Sequence, residues 1–164
     1  MSYSLGSVGF SPLLPVGKHI LTVAKLRQLC VDRFPLSRTR ATIMLGLEQI
    51  VDRLRASHIS GELWVDGSFL TDKINPNDSD VVLFIQQAFC DNATVQQKEA
   101  IKWINSNLKS SHCCDSYVSI EYPPSHPLYW EGEYLRAYWM RQWGFSTDDA
   151  GKVNMMKGIA VISL

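Results

Sequence analysis

Residues 63–85, "LWVDGSFLTDKINPNDSDVVLFI", define the architecture of this chain. An apolar run is followed by Gly67-Ser68, a polar loop, and a second apolar run that opens with Asp78 and Asp80. Short runs of β-branched and aromatic residues, bounded by Gly, Pro, Asn and Asp, are typical of β-strands. The stretch therefore predicts two strands joined by a loop, with two aspartates at the start of the second strand.

Further elements are predicted on both sides of this stretch. Thr22 can cap a helix that runs to about Phe34, and Ser37 can cap a longer helix that reaches about His58. Toward the C-terminus we predict a helix from Asn92 or Thr94 to about Lys109, a strand over 115–122, an aromatic-rich helix over 128–144, and a closing strand over 157–164. This order predicts an α/β (α+β) fold, in which a small mixed β-sheet is covered by helices.

A chain of 164 residues fits one domain with a sizeable core. Residues 1–17, which contain several Gly and Pro, predict an extended arm; residues 18–58 predict a helical part, and residues 62–164 predict the mixed sheet. On the longer helix the apolar side chains fall on one stripe. The arginines of this region lie mostly off that stripe: Arg38, Arg40, Arg53 and Arg55.

Charge and composition exclude several classes of protein. The formal net charge is zero, so no overall field indicates sequence-specific DNA binding or a membrane surface. The sequence contains neither a signal-peptide pattern nor an apolar stretch of about 18 residues. The motif "HCCD" at 112–115 lacks a second half at zinc-finger spacing, which disfavours structural zinc. We expect a cytoplasmic protein with reduced cysteines.

Asp78 and Asp80 are the strongest candidates for a metal site. Residues two apart on a strand face the same side, with Cα atoms about 6.6 Å apart, so both carboxylates can reach one cation. Two such close negative charges repel unless a cation is present, and oxygen ligands suit Mg²⁺ or Mn²⁺. The alternative is that both residues shape the turn of the "NPND" loop.

Gly67-Ser68 adds a site for an anion next to these aspartates. A small Gly-Ser turn lets main-chain N–H groups approach an anion, and the Ser hydroxyl supplies one more donor. Phosphates held over a carboxylate-bound metal are the parts needed for phosphoryl or nucleotidyl transfer. A metal-dependent phosphohydrolase is disfavoured, because its Asp-x-Asp follows an apolar strand, whereas here the strand follows the aspartates.

The spacing of Gly67-Ser68, nine residues, then Asp78-Ser79-Asp80-Val81 resembles the signature of the DNA polymerase β-like nucleotidyltransferase superfamily. "LLPVGKH" near the N-terminus and "KGIAVI" near the C-terminus also look like a family of small bacterial proteins assigned to that superfamily. The resemblance implies a nucleotidyltransferase-like fold and a metal-dependent enzyme. Such an enzyme transfers a nucleotidyl group from a nucleoside triphosphate to a protein or RNA acceptor, with Mg²⁺ or Mn²⁺ as cofactor.

The resemblance also assigns roles to residues. Gly67 and Ser68 would hold the triphosphate, and Asp78 and Asp80 would bind the metal, together with a third carboxylate from a later strand. The candidates are Asp115 and Glu121, which lie on one face of the third strand but about 20 Å apart. We choose Asp115, because parallel strands joined by a helix have adjoining starts. Its neighbour Ser116 departs from the family pattern, which has apolar residues there.

Several other residues have two interpretations. Lys73 can meet phosphate from the loop, or it can be a solvated lysine, and Lys157 can reach a nucleotide in the same way. Asp66 can neighbour the metal, although turn formation is the simpler interpretation. The aromatic side chains of the C-terminal helix can stack bases, but their spacing favours packing on the sheet: Trp130, Tyr134, Tyr138 and Trp143.

A rival hypothesis concerns the activity itself. The chain can be a catalytically inactive copy of the fold that acts as a binding or regulatory partner of another protein, as an antitoxin does. Small bacterial nucleotidyltransferase-like proteins often belong to toxin–antitoxin or phage-defence pairs, so a cognate partner protein is expected in either case.

Overall fold

A computed structural model describes residues 10–147 and 153–164. The strands are β1 (Gly17–Ile20), β2 (Glu62–Asp66), β3 (Ser79–Gln86), β4 (Cys114–Glu121), β5 (Phe145–Thr147), β6 (Val153–Met156) and β7 (Gly158–Ser163). The helices are α1 (Val23–Arg27), α2 (Arg40–Ala56), α3 (Gln87–Asp91), α4 (Val95–Ile104), α5 (Lys109–His112) and α6 (Tyr129–Trp143). A π-helical turn, Gln28–Asp32, continues α1, and a 3₁₀ turn, Ser68–Leu70, follows β2.

Five strands form a mixed sheet in the order β1-β7-β2-β3-β4. β2 is antiparallel to both of its neighbours, β7 and β3, whereas the outer pairs β1–β7 and β3–β4 are parallel. β5 and β6 form a separate antiparallel pair. The predicted mixed sheet covered by helices is confirmed, and so is the parallel crossover from β3 to β4.

The two faces of the sheet are covered differently. One face carries Val65, Leu83 and Ile162, which are buried together with the apolar stripe of α2 and residues of α1 and α4. The other face carries Trp64 and Phe84, which pack with the end of α6 in a smaller cluster. Alternating residues of each strand therefore feed two cores, which is why the strand sequences are almost continuously apolar.

Capping side chains define where two of the helices begin. The hydroxyl oxygen of Thr22 accepts a hydrogen bond from Lys25 N at 3.1 Å, as predicted for α1. Thr94 and Gln97 form a reciprocal capping box at the start of α4. α4 ends at Ile104 rather than near Lys109, because the chain turns back there.

Three strands, β1, β5 and β6, lie in regions for which no strand was predicted. β1 falls at the junction of the predicted arm and helical part; at four residues it is too short to give a clear alternation pattern. β5 and β6 lie between the predicted helix over 128–144 and the predicted last strand, in residues to which no element was assigned. Residues 148–152, between β5 and β6, and residues 1–9 of the predicted arm lie outside the described residues.

The prediction that the aromatic residues of α6 pack on the sheet is correct only for Trp143, which is 7% exposed. Trp130 and Tyr134 are 78% and 72% exposed, and Tyr138 is also exposed. The sheet-facing stripe instead contains Gly132 and Arg136 followed by Trp139 and Trp143, in steps of three or four residues. Because the stripe contains a glycine and a charged residue, the sequence shows no apolar periodicity there.

Among the described residues, no helix is long and apolar enough to cross a membrane.

Gly46 sets how closely α2 approaches α5. A Cβ atom at this position would collide with the carbonyl oxygen of His112, which belongs to the main chain and has little freedom to move. Gly46→Ala is therefore expected to destabilise the protein by about 1–3 kcal/mol, as overpacking does, although Ala is the better helix former. Urea unfolding measures the change.

The matched control is Gln49→Ala, an exposed position of the same helix, which should change the free energy of unfolding by less than about 0.5 kcal/mol. A Gly46→Ala variant as stable as the wild type would show that the two helices are farther apart than described.

Candidate active site

Three aspartates lie side by side on three neighbouring strands. In the parallel pair β3–β4, Asp80 lies opposite Asp115, and in the antiparallel pair β2–β3, Asp66 lies opposite Asp80. Residues opposite each other on adjacent strands share a face and have Cα atoms about 5 Å apart. We call Asp66, Asp80 and Asp115 the carboxylate row; it lies on the face that α6 covers farther along the strands.

The structure separates the two candidates for the third carboxylate. Asp115 lies beside Asp80, whereas Glu121 lies opposite Gln86 at the other end of β3 and β4. Glu121 is bound there by Gln86 Nε2 at 2.6 Å and by the guanidinium of Arg136. Glu121 therefore takes no part in the carboxylate row, and the expected adjoining starts of the two strands bring Asp115 to it.

Ser116, which departs from the apolar pattern of the family, has a structural role on the opposite face. Its buried hydroxyl donates to Ile104 O at 2.6 Å and accepts from Leu108 N at 2.9 Å. It thereby satisfies main-chain groups where α4 ends. The polar residue beside Asp115 is accommodated without disturbing the carboxylate row.

Asp78 precedes β3 and is paired with a lysine from α5. Lys109 Nζ lies 2.6 Å from Asp78 Oδ2, and the lysine side chain is 57% exposed. The ammonium thus neutralises one carboxylate beside the row. Within the described ranges, no group of three or more His, Cys, Asp or Glu side chains forms a ready-made metal site.

Asp66 is not a simple turn residue. It is 2% exposed, and Lys157 Nζ lies 2.9 Å from its Oδ1 atom. The same ammonium donates to Gly67 O at 3.0 Å, so Lys157 joins the last strand region to the turn after β2. Burial raises the pKa of Asp66, and Lys157 and a hydrogen bond from the main chain of Gly67 oppose that rise.

Gly67 is required at its position for two reasons. Its φ angle of +87° lies in the region that L side chains rarely adopt. A Cβ atom there would also collide with Oδ2 of Asp80. The glycine therefore lets the turn after β2 lie directly against the carboxylate row.

Burial and like charges both oppose the ionisation of Asp80. Desolvation, followed by repulsion from Asp78 and Asp115, raises the pKa of Asp80 to about 6. Desolvation and a hydrogen bond to Asp115 raise the pKa of the Tyr117 hydroxyl. Oδ1 of Asp115 is buried and has no hydrogen-bond partner among the described residues.

These observations fit an oxygen-ligated divalent cation. A cation bound by Asp78, Asp80 and Asp115 would remove the repulsion that raises the pKa of Asp80, and it would satisfy the buried oxygen of Asp115. The donors are all carboxylates, which suits Mg²⁺ or Mn²⁺. Lys109 currently supplies part of that positive charge.

Arg40 fixes the loop that follows Gly67-Ser68. Its side chain is fully buried and donates to four main-chain carbonyls, those of Cys30, Phe69, Thr71 and Lys73, at 2.5–3.2 Å. The guanidinium carbon also lies 3.7 Å from the ring centroid of Phe34. Burial lowers the pKa of Arg40. The sequence places Arg40 off the apolar stripe of α2, but the structure buries its side chain and binds it to the main chain of the loop.

Ser68 and Lys73 occupy different surroundings. Ser68 begins the 3₁₀ turn and lines a cavity next to Asp80. The Lys73 ammonium lies 5.1 Å from the ring centroid of Phe10, and Lys73 does not line that cavity. The structure therefore brings Ser68 to the candidate site and does not place Lys73 in the lining of its cavity.

The sequence predictions assigned no definite role in the site to four residues that the structure places there or next to it: Asp66, Arg40, Lys157 and Tyr117. Asp66 was detectable, because an antiparallel pair with a loop from Gly67 onward can place it opposite Asp80. Tyr117 stands two residues after Asp115 and so shares its face. Arg40 and Lys157 carry no such signal, since their partners are main-chain carbonyls and a residue distant in the sequence.

A family model with the description "Family of unknown function (DUF6932)" matches residues 8–163. The match includes the carboxylate row, Gly67-Ser68 and all seven strands of the structure. No curated protein and no solved structure matches the chain.

Asp80→Asn is expected to stabilise the metal-free protein at pH 8. Because the pKa of Asp80 in the folded chain is about 6, well above the 3.8 of an ordinary Asp, its ionised form opposes folding above pH 6. The free energy of unfolding of the variant should exceed that of the wild type by about 1–3 kcal/mol at pH 8. This difference should decrease as the pH falls from 6 toward 4. Urea unfolding in EDTA at both ends of this range measures it.

Asp52→Asn, an exposed position on α2, is the control and should show no such gain. An Asp80→Asn variant that is less stable than the wild type at pH 8 would mean that this carboxylate is held by favourable contacts rather than opposed by its neighbours.

Proposed function

We propose that this chain, which belongs to the DUF6932 family of unknown function, is a metal-dependent nucleotidyltransferase. It transfers a nucleotidyl group from a nucleoside triphosphate to a hydroxyl group of a protein or RNA acceptor and releases pyrophosphate. In this proposal its sheet is the core of a nucleotidyltransferase-like fold.

The observation that carries the proposal is the alignment of Asp80 with Asp115 on parallel neighbouring strands, with Asp78 two residues before Asp80. A Gly-Ser turn lies directly against Asp80. Carboxylates gathered beside a turn able to approach phosphates are the parts that nucleotidyl transfer needs. The spacing of the same residues in the sequence resembles that of the superfamily, which supports the proposal independently of the fold.

Asp78, Asp80 and Asp115 are the residues that hold the divalent cation, Mg²⁺ or Mn²⁺. When bound, the cation neutralises the negative charge of the triphosphate and of the leaving pyrophosphate. Ser68 donates to the phosphates, and Gly67 keeps the space beside Asp80 open.

Asp115 accepts the proton of the attacking hydroxyl, and Tyr117 orients this carboxylate through a hydrogen bond. The acceptor oxygen then forms a bond to the α-phosphorus, and the bond from that phosphorus to the bridging oxygen of pyrophosphate breaks. The proton, the new bond and the leaving pyrophosphate are thereby all accounted for.

We assign this reaction to the cytoplasm. The four cysteines are free thiols, which agrees with a reducing compartment. The acceptor in this proposal is a protein or an RNA that docks on this domain, and a cognate partner protein would belong to a toxin–antitoxin or phage-defence pair.

One observation favours a second candidate function. The ammonium of Lys109 pairs with Asp78, where a cation would bind. An inactive copy of the site would also contain a lysine in that position. In this alternative the chain is a binding or regulatory partner with no transfer activity.

Labelled nucleotides distinguish these functions. The protein is incubated with Mg²⁺ or Mn²⁺, a cell lysate, and each nucleoside triphosphate labelled on either the α- or the γ-phosphate. We expect a protein or RNA to acquire the α-label and not the γ-label, because the γ-phosphate leaves with pyrophosphate. Asp80→Asn/Asp115→Asn should reduce this labelling at least about 100-fold, the scale typical of lost acid–base groups.

Asp52→Asn is the control for the labelling and should behave as the wild type. Equal labelling by the wild type and the double variant, or no α-labelling with any nucleotide, would contradict the enzymatic proposal and favour the inactive partner.

A further inference from the structure

A cavity of about 220 Å³ lies next to the carboxylate row, on the side of Gly67 and Ser68. Three aromatic side chains line it: those of Phe10, Trp143 and Phe145. They come from two stretches of the chain, the one before β1 and residues 143–145, where α6 ends and β5 begins. No role in the transfer step described above uses these rings.

Contacts outside the cavity hold two of the three rings in place. Main-chain hydrogen bonds of Ser11 and Leu13, at 2.8 and 2.9 Å, tie the segment that carries Phe10 to the loop after β2. The ring of Trp143 packs on that of Trp139, with centroids 5.1 Å apart. The aromatic wall is therefore already formed in the ligand-free protein, which lowers the cost of binding a ligand against it.

The size of the cavity limits its occupant to part of a nucleotide. Pockets that enclose whole drug-sized ligands measure about 300–1,000 Å³, so a cavity of about 220 Å³ holds one moiety of a nucleoside triphosphate. The remaining moieties then lie outside it, toward Asp78 and Asp115, which do not line the cavity.

The charges that line the cavity select which moiety enters. Asp66 and Asp80 line it together with Lys157, whose ammonium is already paired with Asp66 at 2.9 Å. Apart from a cation held at Asp80, the described residues that line the cavity offer no unpaired positive charge to offset the repulsion between a polyphosphate and these carboxylates. A neutral planar ring avoids that repulsion and stacks on aromatic side chains.

We propose that this cavity binds the nucleobase of the nucleoside triphosphate against Phe10, Trp143 and Phe145, while the triphosphate extends over Ser68 to the aspartates. The inference rests on the proposed function for the triphosphate part of the ligand. Gln142 also lines the cavity, and its amide, which offers both a donor and an acceptor, binds the polar edge of the base.

Calorimetric titrations of the full chain test this assignment. The probes are ATP, GTP, CTP, UTP and inorganic tripolyphosphate, each with Mg²⁺, and the four nucleosides without metal. The variant Phe10→Leu/Phe145→Leu keeps apolar side chains at two positions that are only partly buried, so it should fold. Tyr134→Leu removes a 72% exposed aromatic ring of α6 outside the cavity and is the control.

We expect the wild type to bind at least one nucleoside triphosphate about 10-fold or more tightly than tripolyphosphate. The double variant should lose that margin while its affinity for tripolyphosphate changes by less than about twofold, and Tyr134→Leu should keep the margin. Gln142→Leu should reduce the difference in affinity between the most tightly and the least tightly bound nucleoside triphosphate.

Three results would overturn the base assignment: equal affinity of the wild type for nucleotides and tripolyphosphate, equal weakening of both ligands in the double variant, or no binding of any nucleoside or nucleotide. Failure of the proposed function looks different. In that case nucleosides still bind and the double variant still loses them, but Mg²⁺ and phosphates add no affinity and no acceptor is labelled.

Discussion

The register between β3 and β4 is the constraint on which the candidate site depends. Because these strands are parallel and aligned at their starts, Asp80 lies opposite Asp115, and the antiparallel register of β2 adds Asp66 on the other side. Three carboxylates on one face repel one another, and burial strengthens that repulsion. Two lysines offset part of it from opposite ends, since Lys157 pairs with Asp66 and Lys109 pairs with the aspartate that precedes β3. The sheet thus concentrates negative charge that the ligand-free protein neutralises only in part.

The loop after β2 is shaped by a second buried charge. Arg40 forms no salt bridge with a described carboxylate, and its guanidinium is satisfied by main-chain carbonyls of the loop and of the π-helical turn after α1. Removing the donors would leave several carbonyls unsatisfied, which is costly in a buried place. Arg40 and the positive φ of Gly67 together hold Ser68 next to the carboxylate row and beside the aromatic cavity. The proposed phosphate-binding and base-binding surfaces therefore both depend on the loop after β2, which Arg40 holds in place.

Much of this arrangement was predictable, because it follows from local patterns. The apolar strands, the helix caps at Thr22 and Thr94, and the helix between β3 and β4 all have signatures within a few residues, and the crossover brings Asp115 to Asp80. The remainder depends on partners far apart in the sequence. Arg40 binds carbonyls that carry no side-chain signal, and the sheet-facing stripe of α6 contains a glycine and an arginine that disguise it. The aromatic residues of the cavity likewise come from two stretches that are far apart in the sequence.

Whether the carboxylates bind a divalent cation is best measured by anomalous X-ray diffraction from crystals soaked in Mn²⁺. We expect an anomalous peak within about 2.6 Å of carboxylate oxygens of Asp78, Asp80 and Asp115. The ammonium of Lys109 should then have moved away from Asp78, because the two cations compete for one carboxylate. Crystals at saturating Mn²⁺ with no peak at these residues, and with Lys109 still bound to Asp78, would contradict a metal-dependent site.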